Sequence, residues 1–156
     1  PCMVWAMKDP HSGNLDRIQI VKGWYQEGQP REQIYNVAWS DGRQPDPDTG
    51  KLPPVGNTVD IPDASYTNTI GDAQLSTVRT DPDFEPSHHA VYYVRVIEIP
   101  TPRWSTYDAK VLGIPPLEDV PATIQERAWS SPFWYTPDGS IAKRLDYYPG
   151  LQMIVP

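Results

Sequence analysis

Asp16-Arg17-Ile18-Gln19-Ile20-Val21-Lys22-Gly23-Trp24 and Gln33-Ile34-Tyr35-Asn36-Val37-Ala38-Trp39, separated by a stretch containing Glu27-Gly28-Gln29-Pro30, decide the fold. β-Branched and aromatic residues fill both runs, and the glycine and proline between them supply turn-forming backbone. The pair reads as an antiparallel β-hairpin. It contains no nucleophile with a base, no metal-ligand pair and no phosphate-binding loop. Its residues are packing residues, and most of the chain has the same character.

Three further runs read as strands. Met3 to Met7 opens the chain, and Val91 to Ile99 is dense in valine, isoleucine and tyrosine before Pro100 stops it, which predicts a central strand. Arg127 to Tyr135 surrounds Pro132, and a proline there predicts an edge, a bulge or a kink. Thr58 to Ile61, Tyr66 to Ile70 and Leu75 to Thr80 are weaker strand candidates. Two irregular connections lie between the strands. Asp41 to Asn57 is stiffened by Pro45, Pro47, Pro53 and Pro54, and Thr101 to Thr123 holds one helical turn, with Ser105 as its N-cap, Asp108 three residues on and Gly113 just past its end. With 19 prolines scattered through 156 residues, long helices are excluded. The expected fold is therefore all-β: an antiparallel β-sandwich, immunoglobulin-like in general architecture, with long proline-rich loops and at most one or two short helical turns.

A formal charge of −7 with unclustered Lys and Arg argues against a nucleic-acid partner. Cys2 is the single cysteine, so no intrachain disulfide forms. No run is long and apolar enough to span a bilayer, and no signal-peptide pattern is present. A start at Pro1, directly before a strand, leads us to expect a chain cut from something longer.

Candidate chemistry is sparse. Asp81, Asp83 and Glu85 alternate with Pro82 and Phe84, which in extended backbone sets three carboxylates on one side, as a calcium site requires. A solvated acidic loop is the plainer reading, because no glycine-bounded calcium loop follows. Asp46, Asp48 and Gly50 echo such a loop more faintly and read as a proline-stiffened turn. Adjacent His88 and His89 would point to opposite faces of a strand. Ser130 and Ser131 lack a nearby histidine and read as a strand bulge. Asp16 and Arg17 read as rim charges of the hairpin. Trp104 and Tyr107 in a loop, and Trp24 and Tyr25 at a strand end, are rings of the kind that stack on sugar faces, although burial in a core or against another domain is the expected fate of large rings.

Several blocks carry a family likeness: Val4-Trp5-Ala6-Met7-Lys8-Asp9-Pro10, Asn14 to Trp24, Leu52 to Asn57, Thr80-Asp81-Pro82-Asp83-Phe84, Tyr92 to Trp104 and Val120 to Pro137. In these the chain resembles the C-terminal region of the bacterial family catalogued as domain of unknown function 3604. That resemblance implies a parent similar to metal-dependent hydrolases of the polymerase-and-histidinol-phosphatase type, exported to the periplasm or beyond the cell. Its divalent-metal ligands would lie in an N-terminal catalytic region that this segment lacks. His11, His88 and His89 contain no His-x-His pair, so no ligand carries over.

The resulting expectation is a β-sandwich accessory domain over 1–137 and a C-terminal extension over 138–156. The domain is expected to hold no cofactor and no catalytic residue, to pack on the catalytic domain of the same parent chain, and to shape its cleft. A carbohydrate-binding module using Trp104, Tyr107, Trp24 and Tyr25 is the first alternative. A structural protein that joins copies into a homo-oligomer through the Cys2 end and the tail is the second.

Overall fold

A computed structural model describes residues 1–137; the extension over 138–156, with Leu145, Tyr147, Tyr148, Leu151, Met153, Ile154 and Val155, lies outside the described residues. The elements run β1 (Cys2–Met7), β2 (Leu15–Gln26), β3 (Gln29–Trp39), β4 (Gln74–Arg79), β5 (Ala90–Pro102), α1 (Trp104–Leu112), β6 (Thr123–Trp129) and β7 (Phe133–Tyr135). They form the expected all-β sandwich. A larger antiparallel sheet has the order β3-β2-β5-β6, with β7 also paired to β5, and a two-stranded sheet of β1 and β4 covers it.

The hairpin β2–β3 forms as the sequence predicts, but its turn is tighter. Glu27 and Gly28 both have positive φ, 52° and 76°, which is the two-residue turn whose twist matches paired strands. Pro30 consequently falls inside β3, opposite Tyr25, where an outer strand tolerates the missing donor. Arg127 to Tyr135 divides into the end of β6 and β7. Trp129 faces Arg95 while Phe133 faces Tyr92, so one extra residue is accommodated at the proline. Ser130 repairs the ladder there, its amide donating to the Val94 carbonyl and its hydroxyl accepting from the Val94 amide, both at 3.0 Å.

Alternation along β2 and β5 builds the core. Ile18 and Ile20 lie directly opposite Val96 and Val94, and this face meets Val4 of β1 and Leu75 of β4. Full burial of each such aliphatic side chain contributes roughly 1.5–3 kcal/mol.

Three expectations need correction. Thr58 to Ile61 and Tyr66 to Ile70 form no strands; a single bridge joins Asp60 and Ser65, and the segment is held by side chains instead. Asn14 binds it by donating Nδ2 to the carbonyls of Asn68, Ile70 and Gly71 and its backbone amide to Asn68 Oδ1. Helix α1 starts from Arg103 as N-cap, without a side-chain cap, and Ser105 sits inside the first turn. The helix begins early because β5 runs to Pro102 and the Arg103 amide then bonds Ala122 O at 2.9 Å; the Gly113 C-cap has the expected left-handed backbone, φ 65°. Asp16, finally, is no rim charge but fully buried. Its carboxylate accepts from Arg17, from Arg43 at 2.6 Å and from Gln125 at 3.0 Å, because the Asp41 to Asn57 loop folds Arg43 back onto it.

Candidate functional site

The residues singled out for calcium lie at the end of the sandwich where β2 meets the start of β5. Lys22 occupies the apolar phase of β2, after Ile18 and Ile20, and is 3% exposed. Its ammonium lies 2.6 Å from Asp81 Oδ2, donates to the Asp83 carbonyl at 2.7 Å and sits 5.0 Å from the Trp24 ring centroid. The Tyr92 hydroxyl donates to Asp81 Oδ2 at 2.7 Å, and the Tyr35 hydroxyl donates to Asp83 Oδ2 at 2.8 Å. Burial pushes the Asp81 carboxyl up, yet the hydrogen bonds from Lys22, Tyr92 and the Asp83 amide, with the ammonium charge, outweigh it and hold the group below the ordinary carboxylate range. Tyr35 and Tyr92 are raised well above the phenol range, first by burial and then by their carboxylate neighbours. Both therefore stay neutral donors at physiological pH.

This network floors a cavity of about 480 Å³ between the two sheets, walled by the rings of Tyr35, Phe84, Tyr92, Phe133, Trp134 and Tyr135. Phe84 meets Tyr135 edge-on at 4.9 Å, and Tyr92 stacks on Phe133 at 5.3 Å. The cavity favours apolar matter, and its carboxylates are already engaged.

The other acidic candidates have separate local partners. Glu85 Oε1 accepts from the Ser87 amide and hydroxyl, and Asp46 Oδ1 accepts from the Asp48 and Thr49 amides and the Thr49 hydroxyl. For each, those hydrogen bonds lower the carboxyl pKa. Asp81 and Asp83 are thus brought together by Lys22 and Tyr35, while Glu85 is turned to its own loop. His88 is half-buried and His89 exposed, just before β5. Among the described residues, no three His, Cys, Asp or Glu side chains converge on a common point.

The four aromatic candidates are split between the two ends of the molecule. Trp24 pairs with Ala90 at the start of β5 and packs partly against the core, with Tyr25 exposed beside it. Trp104 follows the end of the same thirteen-residue strand, on the order of 40 Å away. One small ligand cannot touch both pairs. Burial is not the fate of the second pair: Trp104 is 71% and Tyr107 41% exposed. They border a cleft of about 310 Å³ with Tyr66, His11, Asp9 and Glu126. Tyr66 stands opposite α1 because Lys110 ties the helix to Asp63 at 2.7 Å. Sequence reading missed Tyr66, Asp9 and Glu126, which come from three separate segments.

A third feature is the outer face of the small sheet. The register pairs Met3 with Val78, Trp5 with Ser76 and Met7 with Gln74. Met3, Trp5, Met7 and Val78 are each at least 64% exposed, so this face is largely apolar and uncovered. Among the described residues no helix is long and apolar enough to cross a membrane.

Comparison with family models matches residues 1–137 to the family described as "Protein of unknown function (DUF3604)". Comparisons with curated proteins and with solved structures give no match.

Proposed function

The chain belongs to the DUF3604 family, and on that premise we propose that residues 1–137 are a non-catalytic β-sandwich domain that docks on the catalytic domain of a larger metal-dependent hydrolase. The immunoglobulin-like character, the C-terminal position in the parent, the periplasmic or extracellular location and the divalent metal of the catalytic region all belong to this reading.

The observation that carries it is the outer face of β1 and β4. A two-stranded sheet gains little from exposing Met3, Trp5, Met7 and Val78 to water, since each large apolar side chain left exposed forgoes roughly 1.5–3 kcal/mol of burial. Contiguous apolar surface of this kind marks contact with another protein surface. The cavity and the Lys22 network support the non-catalytic part, because each ionised group named there is held by a partner and serves the architecture.

The test mixes the purified chain with the remaining polypeptide of its parent and follows binding by calorimetry. Trp5→Lys is expected to abolish association without lowering the melting temperature, because its side chain faces solvent. Undiminished binding by Trp5→Lys would overturn the reading. So would a Trp5-dependent homodimer that excludes the parent remainder, or phosphoesterase turnover by the isolated chain with Mn²⁺ or Zn²⁺.

A further inference from the structure

We propose that the cleft between α1 and the loops carrying His11 and Tyr66 binds a neutral sugar unit of a polysaccharide, on a surface separate from the docking face. Three rings from two segments, Tyr66, Trp104 and Tyr107, border one cleft, and Trp104 keeps most of its surface in water at the first helical position. Core packing explains neither its orientation nor its exposure. A pyranose has an apolar face that lies on such a ring and an edge of hydroxyl donors that needs acceptors. Asp9 and Glu126 supply carboxylate acceptors on the same cleft.

The geometry selects within the carbohydrate class. The cleft is lined by two carboxylates, Asp9 and Glu126, and by no lysine or arginine. The neighbouring Lys8 ammonium is turned to the carbonyls of Asp9, Pro10 and Ser12 and keeps its charge, so the two lining carboxylates outweigh it. A polyuronate would meet like charge, whereas a neutral chain meets none. The volume of about 310 Å³ accommodates a single ring at the lower limit of ligand sites, roughly 300–1,000 Å³. Contacts to the body of the fold place the frame: Tyr66 is half-buried, Thr106 anchors α1 by donating to Ala122 O at 2.7 Å, and Lys110 joins the helix to Asp63.

Affinity electrophoresis of the whole chain through gels holding β-glucan, galactomannan, xylan, dextran or polygalacturonate tests this. Retardation is expected in at least one neutral polysaccharide and not in polygalacturonate. Trp104→Ala should weaken it about tenfold, the loss of one good ring contact, and Glu126→Gln several-fold, with unchanged melting temperatures. Trp134→Ala, at the opposite end, should bind as the parent does. No retardation in any neutral gel, strongest retardation by polygalacturonate, or equal loss in Trp134→Ala would overturn the assignment. Loss of binding to the parent remainder in Trp104→Ala, with no sugar binding, would likewise overturn it and assign the cleft to protein contact. Trp5→Lys should leave sugar binding intact, so the two proposals fail separately.

Discussion

The two ends of the sandwich bury charge in different ways. Where β2 begins, Asp16 is wholly enclosed and gathers Arg17, Arg43 and Gln125, while Asn14 and Gly71 fasten the long loop beside it. Where β2 ends, Lys22 is equally out of water but holds a single loop, through Asp81 and the Asp83 carbonyl, above an aromatic cavity. The first cluster stitches several connections into one closed end. The second props a mouth open. A buried ion pair is weak support for stability by itself; what differs is how much chain each pair secures.

That contrast predicts an order of effects. Asp16→Ala leaves two arginines without their shared carboxylate and should cost roughly 3–5 kcal/mol in urea unfolding. Gly71→Ala should come next, at about 3 kcal/mol, because its φ is +74° and an added Cβ would stand 2.6 Å from Ile99 Cγ2 and 3.0 Å from Leu15 O. Lys22→Met should cost about 2 kcal/mol, since Asp81, whose side chain is 13% exposed, then keeps only neutral donors, and adding Asp81→Asn should recover most of the loss. An equal loss for Lys22→Met and Asp16→Ala would erase the distinction between the ends.

The smallest effect is the pH response. Asp81 is depressed in the fold, so its contribution is present above its unfolded value near 3.9 and disappears as pH falls through the folded one. Tyr35 and Tyr92 are raised, so their contribution is full below about pH 10 and declines as pH rises beyond it. Thermal melts should therefore weaken on both flanks, and Lys22→Met should flatten the acid one. An unchanged acid flank in that variant would remove Asp81 from the account.

Much of the fold was legible because local chemistry and tertiary position agree. Ile18, Ile20, Val94 and Val96 alternate as a buried face requires, Gly28 permits the turn, and Pro132 announces the bulge that Ser130 completes. The weaker stretch Leu75 to Thr80 became β4, whereas Thr58 to Ile61 and Tyr66 to Ile70 formed no strands, because Asn14 bonds the carbonyls of Asn68 and Ile70 and the Thr58 hydroxyl bonds the Thr67 backbone. Asn14 is a distant side chain, and local propensity carries no trace of it.

The sites were less legible. One signal stood in the sequence: a lysine at position 22, in phase with Ile18, Ile20 and Trp24, must find a carboxylate if that phase faces inward, and Asp81 is the partner it finds. The burial of Asp16 was hidden because Arg43 arrives from an irregular loop of no fixed period. The Trp104 cleft likewise depends on how the loops carrying Asp9 and Tyr66 meet α1 and Glu126 of β6. Only its two helix rings could be named beforehand.

The small sheet has a last consequence. Its strand β1, Cys2-Met3-Val4-Trp5-Ala6-Met7, contains neither a charge nor a proline, and among the described residues it pairs on one side alone. The edge β3 of the larger sheet carries Pro30, and the opposite one is broken beside Pro132. About 20 Å of regular amides and carbonyls on β1 is thus an unguarded template for strand addition. Concentrated preparations should polymerise from this margin first, and a lysine at its outward position 5 is the natural gatekeeper.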